Sequence, residues 1–393
     1  MLAPTASNEP RESQVHQAVR SHVMRAETTL RDAEAAVREL AESLPNDQLA
    51  GVFLFCADHY EPAALAAAIA RQFTCPVAGC TTAGEIGSRY QSDGIVALGF
   101  SAAGFRLHVR LLPAPDEFTP TQAREVIDSL RGALELSPDL APEAMFGVVL
   151  LDGLSYREET VTSYLHSALM GVGLVGGSAG DSLAFRETRV YAQGAFHRGA
   201  GVLVLVESRL PFEIFRVQHF MPSELEMIIT AADPVTRTVH EIDGAPAAEA
   251  YAGCLGMAAS DLTPEVFSRH PVILEIGGEA FVRSIQRANP DGSLTFFCAI
   301  DEGLILSMAR SSDCVENLTA EVARLGRSFP CIEATLGFDC ILRRLELAAT
   351  GRLEAAESAL APLRMAGFST FGEQIDAVHV NQTLTGVVFG AMP

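Results

Sequence analysis

Apolar positions recur along the chain in two rhythms. Between residues 11 and 43 they follow helical spacing among many charges (Val15, Val19, Val23, Leu30, Ala33, Val37, Leu40). This predicts an N-terminal helical segment over 1–44, closed near Pro45. Beyond it, apolar runs of strand length alternate with amphipathic stretches. Strands are predicted at 51–56, 76–80, 95–100, 105–112, 146–151, 172–176, 189–192 and 201–207, and helices at 120–135 and 157–170. Such alternation predicts an α/β (α+β) architecture with mixed sheets. Near residue 211 the pattern shifts to strands punctuated by Asp233-Pro234, Asp243-Gly244, Gly277-Gly278 and Asn289-Pro290-Asp291-Gly292. Helical stretches follow at 245–269, 312–327 and 339–360, with strands at 331–338, 364–369 and 376–390. The shift divides the chain into two mixed-sheet domains, 45–222 and 223–393.

One motif recurs three times: Thr82-Ala83-Gly84-Glu85, Ser178-Ala179-Gly180-Asp181 and Thr370-Phe371-Gly372-Glu373. Each copy is a hydroxyl residue, one spacer, a glycine and an acid. Each follows a predicted strand-helix-strand and precedes another apolar strand. The acids are 96 and then 192 positions apart. A repeated strand-helix-strand-turn unit accounts for this. The glycine permits a tight turn, and the hydroxyl and acid can hold local backbone groups. Loop chemistry alone would explain these residues. Turns gathered at strand ends would also line a ligand pocket.

Composition narrows the chemistry. All 28 Lys+Arg positions are Arg, there is no Trp, and the net charge is −21. Without Lys, Schiff-base and P-loop mechanisms are excluded. The acidic balance argues against nucleic acid as a partner. A bound anion must be held by Arg, which suits bidentate carboxylate contacts. The longest apolar runs are far short of the roughly 20 residues that span a bilayer. With no signal-peptide pattern, a soluble cytoplasmic protein is expected, with no membrane partner. The eight Cys form no CxxC pair, so free, mostly buried thiols are expected.

Several of these segments resemble the FIST family, bacterial sensory modules with an N-terminal and a C-terminal domain. Gly79-Cys80-Thr81-Thr82-Ala83-Gly84-Glu85-Ile86 and Gly176-Gly177-Ser178-Ala179-Gly180-Asp181 are similar to its N-terminal domain. Glu241-Ile242-Asp243-Gly244-Ala245-Pro246-Ala247, Gly367-Phe368-Ser369-Thr370-Phe371-Gly372-Glu373 and His379-Val380-Asn381-Gln382-Thr383 are similar to the C-terminal one. The His-Val-Asn-Gln-Thr segment most resembles the branch of haem-binding nitric oxide sensors. That resemblance implies a b-type haem, nitric oxide as signal and regulation of a partner histidine kinase or associated signalling protein in biofilm control. A homodimer is compatible with it.

A haem iron needs a neutral imidazole, an apolar pocket and cations for its propionates. Of the ten His, the resemblance favours His379 and His240 as haem and metal ligands. Thr82, Glu85, Ser178, Asp181, Thr370, Glu373 and Asn381 are the expected pocket turns. Two alternatives remain open. One is a FIST module binding a small organic ligand such as an amino acid, without haem. The other is a hydrolase using Ser178, whose surroundings match G-x-S-x-G. No His stands near Thr82 or Ser178 in sequence to activate a nucleophile, and the expected protein is not an enzyme.

Overall fold

The computed structural model describes residues 21–134, 144–155 and 157–392. Three copies of one unit make up its body. Unit one runs through an edge strand Val23–Thr28, helix Ala33–Ser43, strand Leu49–Cys56, helix Pro62–Gln72, strand Val77–Thr81, a short hairpin (Glu85–Ile86, Tyr90–Gln91) and a return strand Ile95–Ser101. Unit two repeats the order with Phe105–Leu112, Pro120–Leu134, Met145–Leu151, Glu158–Leu169, Gly173–Ser178, a hairpin (Val190–Ala192, Ala195–His197) and Gly201–Ser208. Unit three uses Phe212–Gln218, Cys314–Ser328, Ile332–Cys340, two helices (Ile341–Ala349, Leu353–Leu360), Met365–Thr370, a hairpin (Glu373–Ile375, Val378–Val380) and Thr383–Gly390.

In every unit the two inner strands pair in parallel, and the return strand lies antiparallel between the first of them and the edge strand. A strand-helix-strand connection makes the parallel pair, as the crossover geometry requires. The inner strands touch at an equivalent glycine in each copy. A Cβ at Gly79 would lie 1.9 Å from the Leu54 carbonyl oxygen, at Gly176 1.9 Å from that of Val149, and at Gly367 1.8 Å from that of Gly337.

The hairpins are exchanged in a ring. The hairpin of unit one pairs with unit three (Gly367 with Ile86, Phe368 with Glu85). That of unit two pairs with unit one (Val190 with Cys80). That of unit three pairs with unit two (Glu373 with Gly177, Gln374 with Gly176). Each six-stranded sheet is therefore completed by a neighbour, and the body has approximate threefold organisation.

Phenylalanines fill the space between the three sheets. Phe55 meets Phe368 at 4.7 Å between ring centroids, Phe100 meets Phe389 at 5.5 Å, and Phe146 meets Phe389 at 5.8 Å. One buried cluster joins Phe53, Phe146 and Phe338 from the three units. Each such ring removed from water contributes about 2–3 kcal/mol. The helices cover the outer faces: the α-helices of unit one bury Val37, Leu40, Leu65 and Ile69.

Between the first strand of unit three and its next helix the chain inserts a further eight-stranded antiparallel sheet, from Phe220–Asp233 to Ile305–Ser311, with helices Ala247–Leu255 and Pro264–Arg269. It has its own core around Tyr251, Phe267 and Phe296. The chain enters this insert at His219. The extra 96 positions between the second and third motif acids are close to the 92 residues of the insert, Phe220 to Ser311.

Three local expectations change. Val23–Thr28 is a strand, not part of a helix: it pairs with Ile95–Ser101, and its buried positions are Val23, Ala26 and Thr28. The single helix expected over 339–360 is two, broken at Gly351 (φ 64°). The single strand expected over 376–390 is interrupted by a turn at Asn381-Gln382, where Gln382 has φ 55°. Residues 1–20, which carry the first part of the expected N-terminal helix and His16, lie outside the described residues.

Candidate functional site

The ring exchange brings the three motif turns together at one end of the body, where their backbones interlock. Ala83 N–H donates to Ser369 O (3.0 Å) and Ser369 N–H to Gly84 O (2.7 Å). Ser178 N–H donates to Gly372 O (2.8 Å) and Phe371 N–H to Ser178 O (3.1 Å). Gly180 N–H donates to Thr81 O (3.1 Å) and Ser182 N–H to Thr82 O (3.3 Å). The cycle of bonds satisfies backbone groups that would otherwise be buried without partners.

The side chains lock each turn. Thr82 Oγ1 donates to Glu85 (2.6 Å), whose other oxygen accepts Gly94 N–H (3.2 Å) at the start of the return strand. Thr370 donates to Glu373, which accepts Thr383 N–H (3.2 Å) and Oγ1 (2.7 Å) at the equivalent place. Asp181 is one methylene shorter and reaches only its own loop, accepting from Phe185, Arg186 and Glu187 N–H at 2.8, 2.6 and 2.9 Å. Burial pushes the Glu85 carboxyl up to about 7 and that of Glu373, beside Asp339, up to about 8.

Beside the third turn lies a polar region built from four segments. Unit two supplies Glu158 and Glu159 in the first turn of its helix. The insert supplies Arg237, Arg283, Ser284 and the segment Phe297-Cys298-Ala299. Unit three supplies Gln374, His379, Asn381 and Gln382. Arg237 is 1% exposed and is held by Glu158 and Glu159, each at 2.5 Å, and by the Phe297 carbonyl. Glu159 also accepts Ala299 N–H (2.5 Å). Burial drives the Glu158 carboxyl up to about 7, against the pull of Arg237.

Arg283 is different. It is 5% exposed, and among the described residues it makes no ion pair. Its Nη1 reaches the His379 carbonyl at 3.4 Å, and its Nε has no partner. The same segments hold other buried polar atoms without partners: His379 Nε2, Asn381 Nδ2, Ser284 Oγ, Gln374 Oε1 and Gln382 Oε1. Two of these pack closely against Gly372. A Cβ at Gly372 would sit 2.5 Å from His379 Nε2 and 3.0 Å from Asn381 Nδ2. Gln374 Nε2 donates to Ser178 Oγ (2.8 Å) and lies 3.0 Å from His379 Nδ1. With Nδ1 accepting, the imidazole proton rests on Nε2, a tautomer assigned from these bonds. Burial, with Arg237 and Arg283 nearby, lowers His379 to about 4, so the ring is neutral. A buried cation flanked by unpartnered donors is suited to a carboxylate.

Family models match most of this body. The FIST N domain covers residues 50–245 and the FIST C domain 247–376. The chain belongs to the FIST family. FIST domains are sensory modules of signal transduction. The FIST N match takes in unit one from its first inner strand onward, unit two, the edge strand of unit three and the first insert strands, and FIST C takes in the rest of the insert and most of unit three. His379, Asn381 and Gln382 follow the end of the FIST C match. No curated protein matches this chain.

The expected pocket turns therefore do come together, with His379 and Asn381 against the third of them. His240 does not join them; it is exposed on the insert strand Thr238–Ile242. Arg283 was not singled out by its sequence, since Phe281-Val282-Arg283-Ser284 reads as an ordinary strand end. Ser178 is fully buried and its hydroxyl is engaged by the Gln374 amide, so the G-x-S-x-G match does not place it against an imidazole. Haem fits poorly here. His379 is 1% exposed, and Gly372 covers its Cε1–Nε2 edge, with a Cβ there 2.2 Å from Cε1. Neither His lines any of the cavities described among these residues, nor do Arg283 and Asn381. No group of three or more His, Cys, Asp or Glu suited to a metal occurs among the described residues. No helix among them is long and apolar enough to cross a membrane. Cys254 and Cys331 are exposed rather than buried, and all eight thiols are free.

Proposed function

We propose that this FIST protein senses a small carboxylate-bearing organic molecule, a free amino acid being the simplest member of the class. The observation that carries the reading is the guanidinium of Arg283, buried without a carboxylate partner against the His379 backbone, in a region where His379 Nε2 and Asn381 Nδ2 also lack partners. The ligand carboxylate completes Arg283 and these donors. Glu159, half-buried at the same site, supplies the negative side for an ammonium group. Arg283 belongs to the insert, while His379 and Asn381 belong to unit three. A ligand bridging them favours one arrangement of insert against body, and a signalling partner such as a histidine kinase reads that population shift.

The test is a thermal and calorimetric titration with free amino acids, simple carboxylates and the matching amines. A carboxylate ligand at 100 times its Kd raises stability by about 2.7 kcal/mol, amines alone do nothing, and Arg283→Met removes the response. A response unchanged in Arg283→Met, or none with any carboxylate, ends the reading.

Haem-based nitric oxide sensing is the second reading, favoured by the neutral His379 imidazole and its unpartnered Nε2. It requires the third turn to move off that nitrogen. Protein reconstituted with haem that shows no Soret band, or one unchanged in His379→Ala, removes it.

A further inference from the structure

Equivalent positions of the three units carry different residues, and one junction between units departs from the other two. On the inner strands, Phe53, Val148 and Leu336 pair with Leu98, Val204 and Val387 of the return strands. These pair in turn with Arg25, Val109 and Ile214 of the edge strands. Two units thus place an aliphatic side chain where unit one places a guanidinium. At unit three the space is filled: a Cβ at Gly173 would lie 2.7 Å from Ile214 Cδ1. At unit two, Val109 lines an open groove with Ile69 and Phe73 of the unit-one helix and Tyr191 of the hairpin. No charged side chain lines that groove.

At unit one, Arg25 lines a cavity of about 200 Å³ between the hairpin of that unit and the helix of unit three that carries Glu357 and Leu360. Ile86, Tyr90, Leu360 and Met365 are buried and form its floor. Arg25 and Arg89 are exposed, so its mouth meets solvent. A smaller cavity of about 110 Å³ adjoins it and shares Arg25, Gly87 and Ser88.

The position that matches Gly173 is Arg364, since each lies three residues before the glycine of its inner strand (Gly176, Gly367). The aliphatic contact of unit three is therefore replaced at unit one by two guanidiniums. Arg25 Nη1 donates to the carbonyl of Met365 (3.0 Å), the residue after Arg364. Desolvation and the like charge of Arg364 lower the proton affinity of Arg25, and Glu27 opposes them. Among the described residues, Arg25, Arg89 and Arg364 make no ion pair. The carboxylates beside them are engaged by the hairpin. Glu27 accepts the Ser88 N–H (2.8 Å) and hydroxyl (2.6 Å), and Glu357 accepts the Tyr90 N–H (2.9 Å). Three arginines against two glutamates leave one positive charge, which matches a monoanion rather than a dianion.

We propose that this junction binds a short aliphatic carboxylate, its oxygens on Arg25 and its hydrocarbon on Ile86, Leu360 and Met365. A guanidinium holds a carboxylate through parallel N–H groups, of which Arg25 has most to spare. The buried aliphatic floor takes the tail out of water. The hairpin belongs to unit one and the floor helix to unit three, so the bound molecule ties the two units together. The junction shares no residue with the Arg283 site, and the proposal does not rest on that reading.

Calorimetric titration of the full chain with 3-methylbutanoate tests it, beside 3-methylbutanamide, acetate and inorganic phosphate. The acid should bind at least about tenfold more tightly than its neutral amide, which keeps the shape and loses the charge. It should exceed acetate, which lacks the tail, by at least about tenfold as well. Arg25→Met should weaken it at least about tenfold, and Ala361→Phe, which adds bulk at the cavity wall, should do the same. Arg283→Met should leave it unchanged while removing the response to free amino acids expected above, so either site can fail without the other. No binding of 3-methylbutanoate, an amide or phosphate that binds as well, an affinity unchanged in Arg25→Met, or one lost in Arg283→Met overturns the proposal. Arg25 is exposed, so its replacement leaves a folded protein in which these outcomes can be read.

Discussion

The first and third motif turns have the same backbone path and the same hydroxyl–acid lock, yet they close differently. In the first, the neighbour over the motif glycine is Arg344, whose guanidinium is satisfied by the Gln91 carbonyl (3.0 Å) and the Ser92 hydroxyl (2.8 Å). In the third, the neighbours over Gly372 are His379 and Asn381, each with a buried nitrogen that has no partner. Buried polar atoms are nearly always paired, so a cluster of unpaired ones marks a place prepared for atoms that come from outside. A repeated unit can thus serve as architecture in one copy and as a binding surface in another. What differs is which residues the exchanged hairpin and the insert deliver to it.

The largest effect that separates the two turns comes from filling their glycines. Gly372→Ala sets a methyl against the fixed ring of His379 and should cost about 3 kcal/mol, with loss of any ligand response. Gly84→Ala meets chiefly Arg344 Nη1, at 1.9 Å, the far end of a flexible side chain. It should cost at least about 1 kcal/mol less, since the guanidinium can swing away. Urea unfolding of both variants measures this. Equal losses would mean that His379 yields to the methyl as readily as Arg344 does.

The two buried arginines sharpen the same contrast. Arg237→Met strands Glu158 and Glu159 and should cost about 3 kcal/mol, as broken buried ion pairs do. Arg283→Met strands no carboxylate. It should leave the ligand-free protein unchanged or up to about 1 kcal/mol more stable, because an uncompensated buried charge disappears. Denaturation midpoints without ligand discriminate the two. A loss at Arg283 as large as that at Arg237 would make Arg283 a structural residue and remove the main support for a carboxylate site.

Much of the body was legible from the sequence, for identifiable reasons. The motif copies stood out because a glycine, a hydroxyl and an acid at fixed spacing are costly to replace when each holds a backbone group. The inner strands showed as uninterrupted apolar runs because both of their faces are covered. The exchanged hairpins were not legible. Their strands are two or three residues long, too short for any periodicity, and their partners lie in another unit. Val23–Thr28 was hidden for a similar reason, since six residues with buried positions at 23, 26 and 28 merge into the helical spacing that follows. The candidate site was half legible. His379 and Asn381 came from motif resemblance, and His240 came with them. Yet His240 lies next to buried Val239 on a strand where it must face the other way. Arg283 carried no signal, because burial of a guanidinium depends on contacts with the body nearly 100 positions away.

The pH dependence gives the smallest and most selective test of the two turns. Both motif glutamates bind protons more tightly folded than unfolded, Glu85 to about 7 and Glu373 to about 8, because burial disfavours their charge. Each therefore contributes stability that is fully present below the unfolded value near 4.5 and is lost as pH rises through its folded value. For Glu85 the loss slows through pH 7 and levels off about one unit above. For Glu373 it continues to about 8, at a limiting slope on the order of 1 kcal/mol per pH unit. Glu158, also raised to about 7, follows the course of Glu85. His379, lowered to about 4, acts in the opposite sense, gaining stability only as pH rises from 4 to its unfolded value near 6.5. His219 shifts upward and adds the same background to every variant. Between pH 7 and 8, Glu373→Gln should then flatten most of the fall in stability, whereas Glu85→Gln should alter that window much less and act chiefly on the slope below 7. Unfolding free energies at half-unit pH intervals measure both. Identical curves for the two variants would show that the third turn's carboxyl is no more desolvated than the first, and the asymmetry between the turns would then rest on His379, Asn381 and Arg283 alone.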